Sequence, residues 1–160
     1  MTSKPRKLLD ECNFAFDEVF SKKEIHSKNI NNDLRKYVKA ELKKAHKTSQ
    51  ERIESGLYKG AEGARQISLL DDSLIRQYFN FLRESLYPIN NGTEAEKISI
   101  LATGGYGRGL LAPGSDLDLL FLLPYKKTAW SETAIENILY FLWDIGLRVG
   151  QATRTIGECL

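Results

Sequence analysis

A chain of 160 residues, 42% hydrophobic and 28% charged, is long enough to bury one ordinary core and too mixed for a collagen, a disulfide scaffold or a disordered tract. Its apolar runs, residues 119–123 among them, are far too short to span a membrane, so no membrane partner is expected. The net charge of +2 conceals a basic N-terminal third, with 13 Lys/Arg against 8 Asp/Glu over residues 1–52 and 10 against 13 over the rest.

That third includes "RKYVKAELKKAHK", which lacks the interleaved aromatics that stack on bases. The expectation is a solvated helix face, and a nucleic-acid partner is not expected. Leu34, Val38, Leu42, Ala45, Ile53 and Leu57 predict one amphipathic helix from Asp33 to about Leu57. His26 and His46 sit in charged surroundings and read as surface histidines. Cys12 and Cys159 lie at opposite ends in no metal-binding spacing, and no leader pattern is present, so a reducing cytoplasm is the expected location.

Gly56, Gly60 and Gly63 read as punctuation, after which helical spacing restarts at Leu74, Tyr78, Phe79, Leu82 and Leu86. Asp71, Asp72 and Ser73 are the predicted caps of this second helix, and Pro88 its stop. Residues 90–97 read as a loop, leading into a strand from Ile98 to Gly104. A second strand runs from Leu117 to Leu123, and its unbroken apolar character predicts burial on both faces. Ser131 then caps a helix carrying Ile135, Ile138, Leu139, Leu142 and Ile145, with Gly146 near its end, and residues 147–155 read as a third strand. The expected class is α+β: an N-terminal helical region over residues 1–90, then a core with a small mixed sheet flanked by helices over residues 91–160.

The chemistry concentrates in "GGYGRGLLAPGSDLDLLFLLP", residues 104–124. Side chains two apart on a strand share a face, so Asp116 and Asp118 should point the same way. Two unpaired carboxylates at the edge of a core are costly, which makes a cation the first expectation. Hard oxygen ligands suit Mg²⁺, which takes one or two protein carboxylates and completes its shell with water and substrate phosphates. Upstream, Gly104, Gly105, Gly107 and Gly109 allow a tight bend whose N–H groups approach an anion, and Arg108 adds a fork-shaped phosphate clamp. Neither a Walker loop nor a G-x-G-x-x-G spacing is present. The plainer alternatives are a ligand-free strand connection for the glycines, a surface ion pair for Arg108 and a turn cap for Ser115. Tyr106 reads as a packing residue of the turn, and Arg154 either approaches a nucleotide or lies on the surface.

The sequence of apolar strand, Gly-Gly, Arg-Gly, then Ser-Asp-x-Asp entering an apolar strand resembles the nucleotidyltransferase superfamily typified by DNA polymerase beta. Within it, "GGYGRGLLAPGSDLDLLFL" followed by "LYFLWDIGLRVGQATRTIGECL" is similar to the N-terminal part of the bacterial PII uridylyltransferase/uridylyl-removing enzymes. The resemblance implies a partial nucleotidyltransferase fold, incomplete at the C-terminus, that transfers UMP from UTP to a tyrosine hydroxyl of the PII signalling protein and releases pyrophosphate. It implies Asp116 and Asp118 as catalytic metal ligands for Mg²⁺, and Gly104, Gly105, Arg108 and Ser115 around the triphosphate. Leu110 stands where many relatives carry an acidic residue, and Gln151 where they carry histidine. The superfamily's third carboxylate is expected on a neighbouring strand, and "LRVGQATRT" contains none. Such relatives add a phosphohydrolase and two glutamine-sensing domains, so the chain reads as an N-terminal fragment with weak or no activity alone. The rival expectations are a related protein adenylyltransferase, since residues 104–118 do not select UTP over ATP, a non-catalytic nucleotide- or partner-binding module, and, third, a basic nucleic-acid-binding module.

Overall fold

The computed structural model describes residues 28–89 and 92–160; Cys12 and His26 lie outside them. It divides into two compact units, one of described residues through Tyr78 together with residues 109–115, the other of residues 79–108 and 116–160.

The first unit is built on α1 (Lys28–Glu54) and α2 (Gly60–Phe81). Leu34, Val38, Leu42 and Ala45 recur at helical spacing on α1 and are all buried, while Lys36, Lys39, Lys43, Lys44 and Lys47 are exposed. The basic run is therefore a helix face turned away from this core. Gly56, at φ +72°, ends α1 in the left-handed conformation that closes many helices, and its amide bonds back to Ile53 O at 3.0 Å.

Helix α2 departs from expectation. It begins at Gly60 and continues unbroken, so the segment has one helix and no restart at residue 74. Gly63 lies in its first turn, where a β-carbon would fall on the Ile53 side chain. That glycine marks a close approach to α1, which outweighs its poor helix propensity. Asp71 is not a cap: it sits mid-helix, 2% exposed, and shares a 3.0 Å hydrogen bond with His46 Nε2. His46 correspondingly is no plain surface residue, its side chain being 29% exposed against that carboxylate. Ile67, Leu70, Leu74, Ile75 and Tyr78 complete the buried stripe of α2. The segment 109–115 joins this unit through the Leu111 amide, which donates to Ser68 Oγ at 3.0 Å.

In the second unit the end of α2 widens into a π-helical turn, Leu82–Leu86, and Tyr87 and Pro88 follow. The expected loop holds a short 3₁₀ turn, Glu94–Glu96, closed by a reciprocal capping box with Thr93. Then come β1 (Ser99–Ala102), the single helical turn α3 (Gly104–Gly107), β2 (Leu117–Leu123), α4 (Ala129–Asp144), β3 (Val149–Thr155) and α5 (Ile156–Cys159). The three strands form one sheet in the order β1-β2-β3, antiparallel between the first two and parallel between the last two, as the β2-α4-β3 crossover requires. Helices with a small mixed sheet make the class α+β.

The central strand corrects one expectation. Leu117, Leu119, Phe121 and Leu123 are buried, whereas Asp118 is exposed and Leu120 and Leu122 are half-buried. Only one face of β2 belongs to the core, which also takes in Ile135, Ile138, Leu139, Phe141, Leu142 and Ile145 of α4. The cap of α4 is Thr128, whose hydroxyl accepts from the Ser131 amide at 3.1 Å, while Ser131 Oγ accepts from the Thr128 amide at 2.9 Å. Strand β1 is also shorter than expected, because the chain turns into α3 at Gly104. Among the described residues no helix is long and apolar enough to cross a membrane.

Burial drives the Asp71 carboxyl above its ordinary value of 3.8, outweighing the hydrogen bond and charge of His46, which act the other way. The folded state therefore holds this proton more tightly than the unfolded chain does. Its contribution to stability falls as pH rises from 3.8 through the raised value. Denaturant titrations across that range should show the slope flattened in Asp71→Asn, and Asp71→Ala should cost about 1–3 kcal/mol by leaving His46 without its partner.

Candidate nucleotide and metal site

The glycine-rich bend is tied to β2 at the residue that matters most. Thr103 donates to the Asp118 carbonyl from its amide at 2.9 Å and from its hydroxyl at 3.2 Å. The chain then makes the one helical turn of α3, closed by the Gly107 amide on Thr103 O at 2.7 Å. A β-carbon on Gly107 would stand 2.7 Å from the Ala102 carbonyl oxygen, so this glycine is required by close approach of backbone to backbone. Amides opening a helical turn have no acceptor within it, which leaves such a bend suited to an anion. Tyr106 is buried at 3% and packs, as expected of it.

Asp116, Leu117 and Asp118 are exposed, buried and exposed in turn, so Asp118 projects from the open face of β2 and Asp116, one residue before the strand, is likewise open to solvent. The Asp118 carboxylate lies between two glycines. A β-carbon at Gly104, where φ is +57°, would be 2.5 Å from its Oδ2, and one at Gly150 would be 2.7 Å from its Oδ1. Asp116 is held differently: its Oδ1 meets Arg148 Nε at 2.9 Å. The side chains of that pair are 59% and 71% exposed, so the pair is solvated. Both carboxylates are thus open to solvent, and Arg148 pairs with one of them, so neither is an unpaired buried charge.

Arg108 is exposed, and a β-carbon at Gly105 would lie 3.8 Å from its Nη2, which brings the guanidinium beside the bend. Ser115 is exposed and its amide closes a turn on Ala112 O at 3.0 Å. Arg154 lies on β3 opposite Leu122, exposed, with Nη1 3.1 Å from the Thr153 carbonyl. Gly150 is the participant that reading residues 104–118 did not reach. Its signal is the β2–β3 register, which sets it opposite Asp118.

Two exposed carboxylates on one strand face, one seated in a glycine cradle, fit a hard divalent ion that retains several waters. Among the described residues no group of three His, Cys, Asp or Glu side chains converges on one ion position. Asp144 closes α4, and Glu158 accepts from the Thr155 amide at 2.7 Å and hydroxyl at 3.0 Å. Those bonds from Thr155 hold the Glu158 carboxyl below its usual range.

Comparison with known proteins meets this geometry at the same residues. Residues 84–159 match the family model described as a nucleotidyltransferase domain. The matched segment holds β1, α3, β2, α4, β3 and α5, with both aspartates. The chain is also 48% identical over 123 residues to a bifunctional uridylyltransferase/uridylyl-removing enzyme of Rhodopseudomonas palustris, a match covering 77% of the chain and 13% of that relative. A protein of the same description from Bradyrhizobium sp. (strain ORS 278) is 46% identical over 124 residues, 78% of the chain and again 13% of the relative. The chain thus spans a small part of the curated relatives it matches. No solved structure matches it.

An ion pair this exposed contributes little to folding. Arg148→Ala should change stability by less than about 1 kcal/mol in chemical denaturation, and that small effect should shrink further as salt is raised.

Proposed function

We propose that this nucleotidyltransferase domain transfers UMP from UTP to a tyrosine hydroxyl of a PII signalling protein, releasing pyrophosphate. The observation that carries this reading is the Asp118 carboxylate seated between Gly104 and Gly150, at the mouth of a glycine-rich bend. Support for uridylyl transfer in particular comes from the names of the relatives, since residues 104–118 favour neither uracil nor adenine.

In the proposed reaction the tyrosine oxygen attacks the α-phosphorus of UTP. The bond from that phosphorus to the oxygen bridging the β-phosphate breaks, and pyrophosphate leaves with the electron pair. The tyrosine proton, bound with a pKa near 10 when unperturbed, must pass to an acceptor, a role for which the open face offers Asp116 and Asp118. Gly104 and Gly105 let the backbone approach the triphosphate, Arg108 pairs with its charge, and Ser115 adds a hydroxyl donor at the entry to β2. Mg²⁺ held by Asp116 and Asp118 would neutralise charge on the phosphates. Arg148 can give up Asp116 to that role at little cost, because the pair is exposed. The cysteine pattern supports a reducing cytoplasm as the setting.

Single-turnover labelling with the protein in excess over a PII protein, using UTP labelled on the α-phosphate, tests the proposal. Label should appear on tyrosine with UTP and not with ATP, and Asp118→Asn should lower the rate by about 10²-fold or more. Equal labelling by the wild type and Asp118→Asn would contradict the role given to that carboxylate.

A further inference from the structure

We propose that Gly150 is a positioning residue for Asp118, the bare backbone of β3 serving as one wall of the seat that fixes the carboxylate. The inference rests on the reading of Asp118 as a working carboxylate. It begins from the register, which pairs Asp118 with Gly150 across the parallel β2–β3 ladder. Residues so paired project from the same sheet face, so a side chain at 150 would enter the space that the carboxylate fills.

The geometry singles out this cause. A β-carbon at Gly150 would meet Asp118 Oδ1 at 2.7 Å and Asp118 Cγ at 3.9 Å, and, among the described residues other than its chain neighbours, no other atom within 4 Å. Backbone conformation does not demand glycine there, because Gly150 is not among the glycines with positive φ. A glycine inside a strand weakens it, since it offers no side chain to pack and loses more freedom on folding. The only described neighbour that profits from the missing β-carbon is Asp118. On the other side a β-carbon at Gly104 would stand 2.5 Å from Oδ2, but the φ of +57° there would select glycine in any case. Gly150 is thus the position at which room for the carboxylate can be tested apart from backbone strain.

A methyl group at 150 would overlap the space that Oδ1 fills, so the carboxylate must turn from the position it holds beside the bend, a shift open to the end of an exposed side chain.

The test compares the wild type with Gly150→Ala, Asp118→Asn and Gly157→Ala, the last at a glycine whose β-carbon would meet nothing within 4 Å. Binding of Mn²⁺ alone is followed by the loss of its free-ion electron paramagnetic resonance signal. Gly150→Ala and Asp118→Asn should each bind Mn²⁺ at least about 10-fold more weakly, with Gly157→Ala unchanged. If Asp118→Asn weakens binding and Gly150→Ala does not, the positioning role is overturned while the metal reading stands. If Asp118→Asn binds as the wild type does, the metal reading falls, and the seat is judged by stability. For that, Gly150→Ala is made in the wild type and in Asp118→Ala, which removes both atoms the new methyl would meet. The unfolding midpoint should drop in the first background and hold in the second; equal drops would overturn the inference.

Discussion

A carboxylate on the open face of a sheet needs room as well as water. The two oxygens of Asp118 occupy space left at two places where the chain carries no β-carbon, Gly104 on one side and Gly150 on the other. The rest of the second unit can be read as the means of bringing those two backbones together. Strand β2 supplies the acid, β3 pairs with it in a register that sets a glycine opposite, and the bend after β1 folds back so that Thr103 grips the Asp118 carbonyl.

The same arrangement explains why one face of β2 is buried and the other is not. Leu117, Leu119, Phe121 and Leu123 anchor the strand in a core shared with α4, and the alternation they impose leaves Asp116 and Asp118 outside. The two acids are treated unequally. Asp116 holds an exposed, exchangeable ion pair with Arg148, while Asp118 sits where Gly104 and Gly150 leave room for its carboxylate.

Much of this was legible before any coordinates. The bounds of β2, the helical spacing of α4 and the clustering of glycines with Arg108 ahead of the Asp pair all follow from local pattern, which is where periodicity and turn chemistry are strongest. What local pattern misread was set by contacts distant in sequence. Asp71 has the chemistry of a cap, yet it lies inside α2 because His46, 25 positions earlier, supplies its partner. Gly63 looks like a break and is instead a point of contact with Ile53. The run from Leu119 to Leu123 is apolar enough to be covered twice, but apolar content does not say how many faces receive a neighbour. Gly150 is invisible to any reading confined to residues 104–118, since only the strand register connects it with Asp118.

The match of residues 84–159 to the nucleotidyltransferase domain family gives this seat a chemical context without itself assigning a role to any one residue. The most direct measurement is diffraction from crystals grown with Mn²⁺ and a non-hydrolysable UTP analogue, with data collected at the manganese edge. The account requires an anomalous peak shared by the Asp116 and Asp118 carboxylates, with the analogue's phosphates along Gly104 and Gly105. A peak elsewhere, or the two carboxylates diverging with the phosphates bound away from the bend, would contradict it.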